Sequence, residues 1–490
     1  MNAIMVQGTS SWAGKSLLAT VLCRHFARQG LRVAPFKAQN MSNNARVAAR
    51  ADGQWGEIGT AQWLQARAAN ATPHVRMNPV LVKPEGDTRS QVIVDGLVDA
   101  ELSGLPWRHR GPRLRPVVER ALSGLLADSD LIVIEGAGSP AEINLADIDL
   151  ANTAAAQIAD APVLLVADVD RGGAFAHLYG TWALLEPRAR ERIAGFILNK
   201  FRGDASLLAP APERLTGLTG VPFLGTVPML SHDLPDEDGA AAPVTHLAQD
   251  RPVVAVVRYP YASNLDEFKP LEQVCQLRWA QSAGALADAD LVVLPGSKHV
   301  AADLGWLRSN GVGDEVTRRA HAGHRVLGIC GGLQMLGQEL RDDDGGDGDT
   351  TGLGLLRLHT SYRADKVIAE VSTQFPAGME GPWGALAGQP LRGYEIRHGR
   401  TEPTAECISA QPGTEPIDEL AVALPENRGW HAGAVLGLTV HGLWENPHLV
   451  RGLLGHTPNR SLDEAIDDLT DAVMAHLNIT HIEDLAGTRT

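Results

Sequence analysis

A short stretch near the start of the chain combines the residue types needed to hold a phosphate group. Gly8 and Gly14 enclose five residues, and Lys15 and Ser16 follow directly. An apolar run comes before this stretch and a helical pattern comes after it. In such a strand, loop and helix, backbone N–H groups hold phosphate, the lysine reaches the terminal phosphates and the serine binds Mg²⁺. We predict a P-loop whose nucleotide-binding residues are Gly8, Thr9, Ser11, Gly14, Lys15 and Ser16.

The spacing in this stretch departs from the usual P-loop, which has four residues between its glycines. The alternative interpretation is a glycine turn in front of an ordinary helix. The apolar run before the loop and the helical pattern after it favour the phosphate site.

Two acidic residues are candidates for a magnesium site beside this loop. Glu135 ends the apolar run 131–134 and precedes Gly-Ala-Gly, the place where P-loop proteins carry a second metal-binding carboxylate. A buried strand-end acid without a partner would be costly, which favours a functional role. Asp52 could also complete a Mg²⁺ shell or contact substrate, although capping a helix is its simpler role.

A second reactive group is predicted at Cys330. It follows the apolar run 326–329 and precedes two glycines and a helical pattern, which resembles a nucleophile elbow with Cys in place of Ser. N–H groups at such a turn can form an oxyanion hole. The alternative is a buried core cysteine, the role we expect for the residues that lack this frame: Cys23, Cys275 and Cys407.

A thiol nucleophile needs a base, and His441 is the best-placed histidine. It ends the apolar run 436–440 and is followed by glycine. His398, in the segment 392–400, is the rival candidate. The acidic segment 342–350 could suggest calcium, but it lacks the closing Glu of an EF-hand and reads as a surface loop.

Composition limits the class of protein. A chain of 490 residues is too long for a single hydrophobic core, so more than one domain is expected. The net charge of −15 argues against nucleic-acid binding. The sequence contains no run of about 18 apolar residues, so no membrane span is predicted. No signal peptide is expected at the start. The four cysteines lie far apart without a CxxC pair, so zinc and a disulfide framework are not expected and a reducing cytoplasm is the default.

The order of strand and helix patterns predicts an α/β fold with two doubly wound domains. Consecutive apolar residues in the strands indicate mostly parallel sheets, whose carboxyl edges bind ligands. We expect a P-loop domain over 1–230, an acidic Ala/Gly/Pro-rich linker over 231–250, a second α/β domain over 251–455 and a helical segment over 456–490. The amphipathic helix in that last segment is expected to close the second domain.

Both halves resemble known families. The five-residue spacing is shared with P-loop amidoligases related to dethiobiotin synthetase, and the Cys330 frame resembles class I glutamine amidotransferases. Together, over nearly the whole chain, they are similar to the cobyric acid synthase family of the adenosylcobalamin pathway. The stretches that carry this resemblance are 7–16, 34–44, 76–84, 135–145, 166–173, 199–204 and 393–399.

The resemblance implies an enzyme that uses ATP, Mg²⁺ and glutamine to amidate the b, d, e and g carboxylates of adenosylcobyrinic acid a,c-diamide. It implies that Ser16, Asp52 and Glu135 hold the metal and that Lys15 supports phosphoryl transfer. Cys330 and His441 would release ammonia from glutamine. The oxyanion hole is assigned to two backbone N–H groups, those of Gly296 and Gly331.

This sequence departs from the family pattern at two places. Triad amidotransferases usually carry Glu two residues after the histidine, but Leu443 stands there and Glu445 lies two residues further on. The group that orients His441 is therefore left open. Arg397-His398 replaces the usual His-Met, which demotes His398 as a catalytic residue.

Two rival functions remain open from the sequence. The first is a cobyrinic acid a,c-diamide synthase, which has the same domains and a related substrate. The second is a P-loop ATPase switch with an inactive amidotransferase-like module. Glutamine and a corrinoid are the expected small-molecule partners, without nucleic acid or membrane, and the oligomeric state is not predicted.

Overall fold

The computed structural model describes residues 2–85, 89–235, 250–342, 345, 347–404 and 419–488. Most of the predicted linker, residues 236–249, and Cys407 lie outside the described residues. Contacts divide the chain into two compact units. The first comprises Met1–Leu234 and Arg460–Thr490, and the second comprises Pro235–Asn459.

The strands and helices alternate through both units, as the sequence pattern predicts. The strands are β1 Asn2–Gly8, β2 Val33–Phe36, β3 Gln39–Met41, β4 Ala45–Ala49, β5 Trp55–Gly59, β6 Val80–Pro84, β7 Ser90–Val94, β8 Leu97–Asp99, β9 Leu131–Glu135, β10 Val163–Asp168, β11 Ile193–Phe201, β12 Phe223–Pro228, β13 Val253–Val257, β14 Ala262–Ser263, β15 Gln276–Ala280, β16 Leu291–Leu294, β17 Gly296–Ser297, β18 Arg325–Ile329, β19 Glu339–Arg341, β20 Thr350–Thr351, β21 Leu358–Gln374, β22 Pro390–Pro403, β23 Ala421–Leu424, β24 Gly429–Ala432 and β25 Val435–Leu438. The helices are α1 Lys15–Arg28, α2 Thr60–Ala68, α3 Ala100–Gly104, α4 Trp107–Asp128, α5 Ala155–Ile158, α6 Ala174–Leu184, α7 Pro187–Arg190, α8 Ala211–Thr219, α9 Val300–Ser309, α10 Val312–His321, α11 Gly331–Leu336, α12 Pro447–Leu454, α13 Leu462–Met474 and α14 Ile479–Leu485.

The first unit is built on a six-stranded parallel sheet in the order β12-β11-β10-β1-β9-β2. Its strands are apolar on both faces because helices cover each side. Along β1, Ala3 and Met5 enter one core cluster, whereas Ile4 and Val6 enter the cluster on the opposite face. The polar residues that follow β1, β2, β9 and β11 therefore gather at one edge of the sheet.

The second unit has a seven-stranded mixed sheet in the order β15-β13-β16-β18-β25-β24-β23. The segments β13, β15, β16, β18 and β25 pair in parallel, and β24 and β23 add an antiparallel edge. A separate four-stranded sheet contains the long hairpin of β21 and β22. The predicted class, two doubly wound α/β domains, is confirmed by this architecture.

The end of the chain packs on the first unit, so the expectation that its amphipathic helix closes the second domain is wrong. Ile466 and Val473 of α13 are fully buried in the cluster that contains Leu18 of α1. Charge fixes the pairing, since Arg24 of α1 lies 3.0 Å from Asp463. An amphipathic pattern indicates that one face is buried, but it does not say against which partner.

The C-terminal helices should therefore stabilise the first unit. Replacing Ile466 by Ala removes a fully buried side chain and should lower the free energy of unfolding by about 2–5 kcal/mol. Leu218, which is 67% exposed on α8, is the matched control, and its replacement by Ala should change stability by less than about 0.5 kcal/mol. Calorimetry of the full chain measures both. Equal, small effects would show that α13 contributes little to the core.

Candidate active sites

The loop after β1 has the geometry of a phosphate cradle. Gly14 has φ of 98°, and a Cβ atom there would lie 1.9 Å from Nδ2 of Asn199, so only glycine fits. Asn199 donates a hydrogen bond to the Ala13 carbonyl at 3.0 Å, which ties the end of β11 to the loop. The Lys15 ammonium is 3.0 Å from the carbonyl oxygens of Ser10 and of Gly138, so it curls over the loop.

The residues of this loop fit a phosphate group. A Cβ atom at Gly8 would stand 3.0 Å from both Ala13 Cβ and Ser10 O, so the cradle has no room for a side chain there. The buried hydroxyl oxygen of Thr9 has no hydrogen-bond partner in the described part of the chain. A buried hydroxyl of this kind is available to a bound phosphate oxygen. Ser11 is exposed at the rim of the loop.

Glu135 is fully buried at the end of β9 and gathers four donors. Its carboxylate accepts hydrogen bonds from Ser16 Oγ at 2.8 Å, Lys37 Nζ at 2.9 Å, Gln65 Nε2 at 2.5 Å and Gln62 Nε2 at 3.2 Å. Burial alone would raise the pKa of Glu135, but the Lys37 charge and these hydrogen bonds hold it below its ordinary value. The carboxylate is therefore anionic.

The Ser16 and Glu135 oxygens suit Mg²⁺, which binds one or two protein oxygens together with phosphate oxygens. Asp52, the predicted third ligand, makes hydrogen bonds with Arg50 and Gln54, and its assignment stays a prediction. It lies in the exposed turn between β4 and β5, where Arg50 lies 2.8 Å away and lowers the pKa of Asp52 to about 2. None of the described residues forms a metal cluster of three or more His, Cys, Asp or Glu.

Sequence reasoning missed two buried lysine–glutamate pairs of the first unit. Lys37 directly follows β2, and Lys83, on β6, forms a fully buried ion pair with Glu57 of β5. The signal was present for Lys37, because a lysine that ends a buried strand shares an edge with the P-loop. The Lys83–Glu57 pairing depends on tertiary structure and leaves no pattern in the sequence.

In the second unit, Cys330 occupies a strained turn between β18 and α11. Its φ of 52° and ψ of −105° are unusual for a residue with a side chain. The two glycines that follow make the turn possible: a Cβ atom at Gly331 would lie 2.7 Å from Ser297 N, and one at Gly332 would lie 1.9 Å from Leu294 O. Such stored strain is typical of a nucleophile elbow.

His441 is 2% exposed and lies near enough to Cys330 for the charge of Cys330 to act on the imidazole. Its Nδ1 atom is 2.8 Å from Oε1 of Glu267, whose Oε2 accepts the Gly442 N–H at 2.9 Å. Burial lowers the pKa of His441, but the negative charges of Glu267 and Cys330 and their hydrogen bonds raise it to about 10. These interactions favour the imidazolium form of His441.

Tyr394 completes the surroundings of the histidine. Its ring stacks on the His441 ring at 5.2 Å, and the two residues exchange backbone hydrogen bonds of 3.2 and 2.9 Å. The neighbouring Gly393 is required, because a Cβ atom there would lie 2.1 Å from His441 O. His398, the rival base, lies elsewhere on β22 with its Nδ1 atom 3.1 Å from the Arg363 carbonyl oxygen.

The two glycines assigned to the oxyanion hole lie beside this pair. Gly331 follows Cys330 directly, and a Cβ atom at Gly296 would be 3.1 Å from Cε1 of His441. Behind Gly296, Ser297 donates a 2.6 Å hydrogen bond to Asp303, whose pKa is raised to about 6 by burial. The positions fit an oxyanion hole, and the assignment stays a prediction.

Glu267 is the functional candidate that sequence reasoning missed. It lies 174 residues before His441, in the 3₁₀ segment Leu265–Gln273, whereas the family pattern places the acid just after the histidine. No spacing rule connects two residues so far apart. The signal available was weak: an acidic residue directly before Phe268 in a segment that also carries other charged residues.

A P-loop unit with a buried acid and a second unit with a Cys-His elbow together define a glutamine-dependent amidoligase. Residues 4–238 match the profile described as CobQ/CobB/MinD/ParA nucleotide binding domain, and residues 253–449 match the CobB/CobQ-like glutamine amidotransferase domain. The chain belongs to the cobyric acid synthase family.

Relatives match over nearly the full length. A cobyric acid synthase from a Polaromonas species is 50% identical, with 99% of this chain and 98% of the relative covered. One from an Acidovorax species is 51% identical, covering 99% and 97%. One from Paracidovorax citrulli is 53% identical, covering 96% of each chain. The helices of the described residues include none with the length and apolar character of a membrane span.

The cysteines should differ in reactivity. Burial raises the pKa of the Cys23 thiol far above its ordinary value and that of Cys275 to about 12, whereas Cys330 has the His441 cation beside it. We expect iodoacetamide at neutral pH to label Cys330 at least about tenfold faster than the other two. Peptide mass spectrometry measures each site in the folded protein. Labelling of Cys275 at the rate of Cys330 would contradict the assignment.

Proposed function

We propose that the protein converts adenosylcobyrinic acid a,c-diamide to adenosylcobyric acid by amidating its b, d, e and g carboxylates, with one ATP and one glutamine for each. The observation that carries this proposal is the presence in one chain of a phosphate cradle with a buried Ser16–Glu135 pair and a Cys330–His441 pair. The names of the relatives, cobyric acid synthases, support the corrinoid substrate.

The first unit is proposed to activate a substrate carboxylate. Lys15 is held over the loop by two carbonyl oxygens and would follow the γ-phosphoryl group as it moves to the carboxylate oxygen, giving an acyl phosphate and ADP. Bound Mg²⁺ would offset phosphate charge, with Ser16 and Glu135 as its protein ligands. Lys37 keeps Glu135 ionised for that role and adds positive charge at the same edge.

The second unit is proposed to supply ammonia. The Cys330 thiolate attacks the side-chain amide carbon of glutamine, and the oxyanion that forms accepts hydrogen bonds from the Gly296 and Gly331 N–H groups. His441 gives its Nε2 proton to the leaving nitrogen as the C–N bond breaks. His441 then takes a proton from water, which hydrolyses the thioester to glutamate and restores the thiolate. Ammonia displaces phosphate from the acyl phosphate and forms the amide.

Replacing Cys330 by Ala separates the two proposed sites. Glutamine-dependent amidation should fall by at least about 10³-fold, because the nucleophile is lost. Amidation supported by ammonium chloride should stay near the wild-type rate, because the synthetase site is intact. Cys275→Ala is the matched control and should change neither rate. A folded Cys330→Ala protein that loses both activities would contradict the two-site assignment.

Replacing Lys15 by Ala should remove amidation with either nitrogen source, since phosphoryl transfer precedes both. Glutamine hydrolysis, measured as glutamate release, shows whether the second unit of this variant is folded.

The substrate is tested by mass spectrometry of adenosylcobyrinic acid a,c-diamide with ATP and glutamine, in which the wild type should amidate four carboxylates in succession. Turnover only on the a and c carboxylates of cobyrinic acid would favour the diamide synthase. ATP hydrolysis that needs no carboxylate acceptor would favour the ATPase switch.

A further inference from the structure

We propose that Glu267 is the positioning carboxylate of the glutaminase site and that it replaces the acid missing after His441. The proposal rests on the glutaminase function proposed above. Leu443 stands where triad amidotransferases carry their acid, and Glu445, two residues beyond, is exposed. Glu267 reaches the same histidine through tertiary structure, from the 3₁₀ segment Leu265–Gln273.

Each carboxylate oxygen of Glu267 contacts a different group. Oε1 lies 2.8 Å from His441 Nδ1 and Oε2 accepts the N–H of Gly442 at 2.9 Å. One carboxylate thus fixes the ring and the backbone that carries it. With Nδ1–H directed at the carboxylate, Nε2 is the atom left for Cys330 and for the leaving nitrogen.

Burial makes this pairing obligatory. Glu267 is fully buried and His441 is 2% exposed, so a carboxylate without its partner would carry a large desolvation cost. Another buried acid near the site, Glu395, is engaged elsewhere: it accepts hydrogen bonds from Arg397 at 2.9 Å and from Thr439 at 2.6 Å. Of these two acids, Glu267 is the one that contacts the imidazole.

The stretch that carries Glu267 also contacts the rest of the site. Ser263 of β14 pairs with Gly296 of β17, which holds one of the predicted oxyanion donors. Asn264, with φ of 56°, donates a 2.9 Å hydrogen bond from Nδ2 to the Tyr394 hydroxyl, and the Tyr394 ring stacks on His441. The six residues 262–267 therefore set the position of the base relative to the oxyanion strand.

The test compares three variants of the full chain: Glu267→Gln, Glu267→Asp and Glu445→Gln. Glu267→Gln keeps the shape but removes the charge, and it should lower kcat for glutamine hydrolysis by about 10²- to 10⁴-fold, since changing the triad acid of a serine protease to an amide costs about 10⁴. The glutamine KM should change less than about tenfold, because the carboxylate is not proposed to touch substrate. Glu267→Asp should restore part of the rate. Glu445→Gln should match wild type.

The pH profile separates positioning from simple structural support. The titratable groups that face His441 are Glu267, Cys330 and Tyr394. Glu267 favours the imidazolium, so removing its charge should move the alkaline limb of kcat/KM to lower pH. Glu445→Gln should not move it.

Ammonia-supported amidation keeps the outcomes distinct. It should stay at the wild-type rate in Glu267→Gln, which shows that the first unit is folded and working. A wild-type glutaminase rate in Glu267→Gln, or a lowered rate with an unmoved alkaline limb and no recovery in Glu267→Asp, would overturn the proposal. A Cys330→Ala variant that still hydrolyses glutamine would overturn the proposed glutaminase function itself.

Discussion

A carboxylate withdrawn from water must be paired, and both candidate sites are organised around glutamates that obey this constraint. Glu135 and Glu267 are both fully buried. Glu135 collects Lys37, Ser16 and two glutamines at the edge of the first sheet, and Glu267 holds His441 in the second unit. Because each acid takes donors from separate elements, each one fixes the relative positions of strands and helices that carry the chemistry.

Constraints on the backbone at two turns also fix the positions of the reacting groups. Gly14 is fixed by its positive φ and by Asn199, which lies where a side chain would stand. Cys330 accepts an unfavourable φ, and the close approach of Leu294 and Ser297 leaves space only for the glycines that follow it. In each unit an apolar strand ends in a turn that a bulkier sequence could not form, so the phosphate loop and the nucleophile elbow are presented at a strand's carboxyl end.

The C-terminal part of the chain supports the P-loop helix, which the order of the motifs along the sequence does not indicate. After the second unit, α13 returns to α1 of the first unit and buries Ile466 in its core. The carboxylates of α13 face arginines of α1, with Arg24 and Arg28 pairing with Asp463 and Asp467. The P-loop helix is therefore supported by residues more than four hundred positions later in the chain.

The amino-acid sequence alone was enough to predict the fold class, which is confirmed, and to propose the P-loop, the elbow at Cys330 and His441 as the base. These are local: apolar period, glycine placement and a reactive residue at a strand end lie within a dozen positions of one another. The pairing of buried charges and the docking of helices became visible only in the folded structure. Asp52 lies in an exposed turn, and Lys37 pairs with Glu135. Helix α13 packs on the first unit, and Glu267 contacts His441, which lies 174 positions later. Pairing of buried charges is a contact between distant segments, and such contacts leave no period or spacing in the chain.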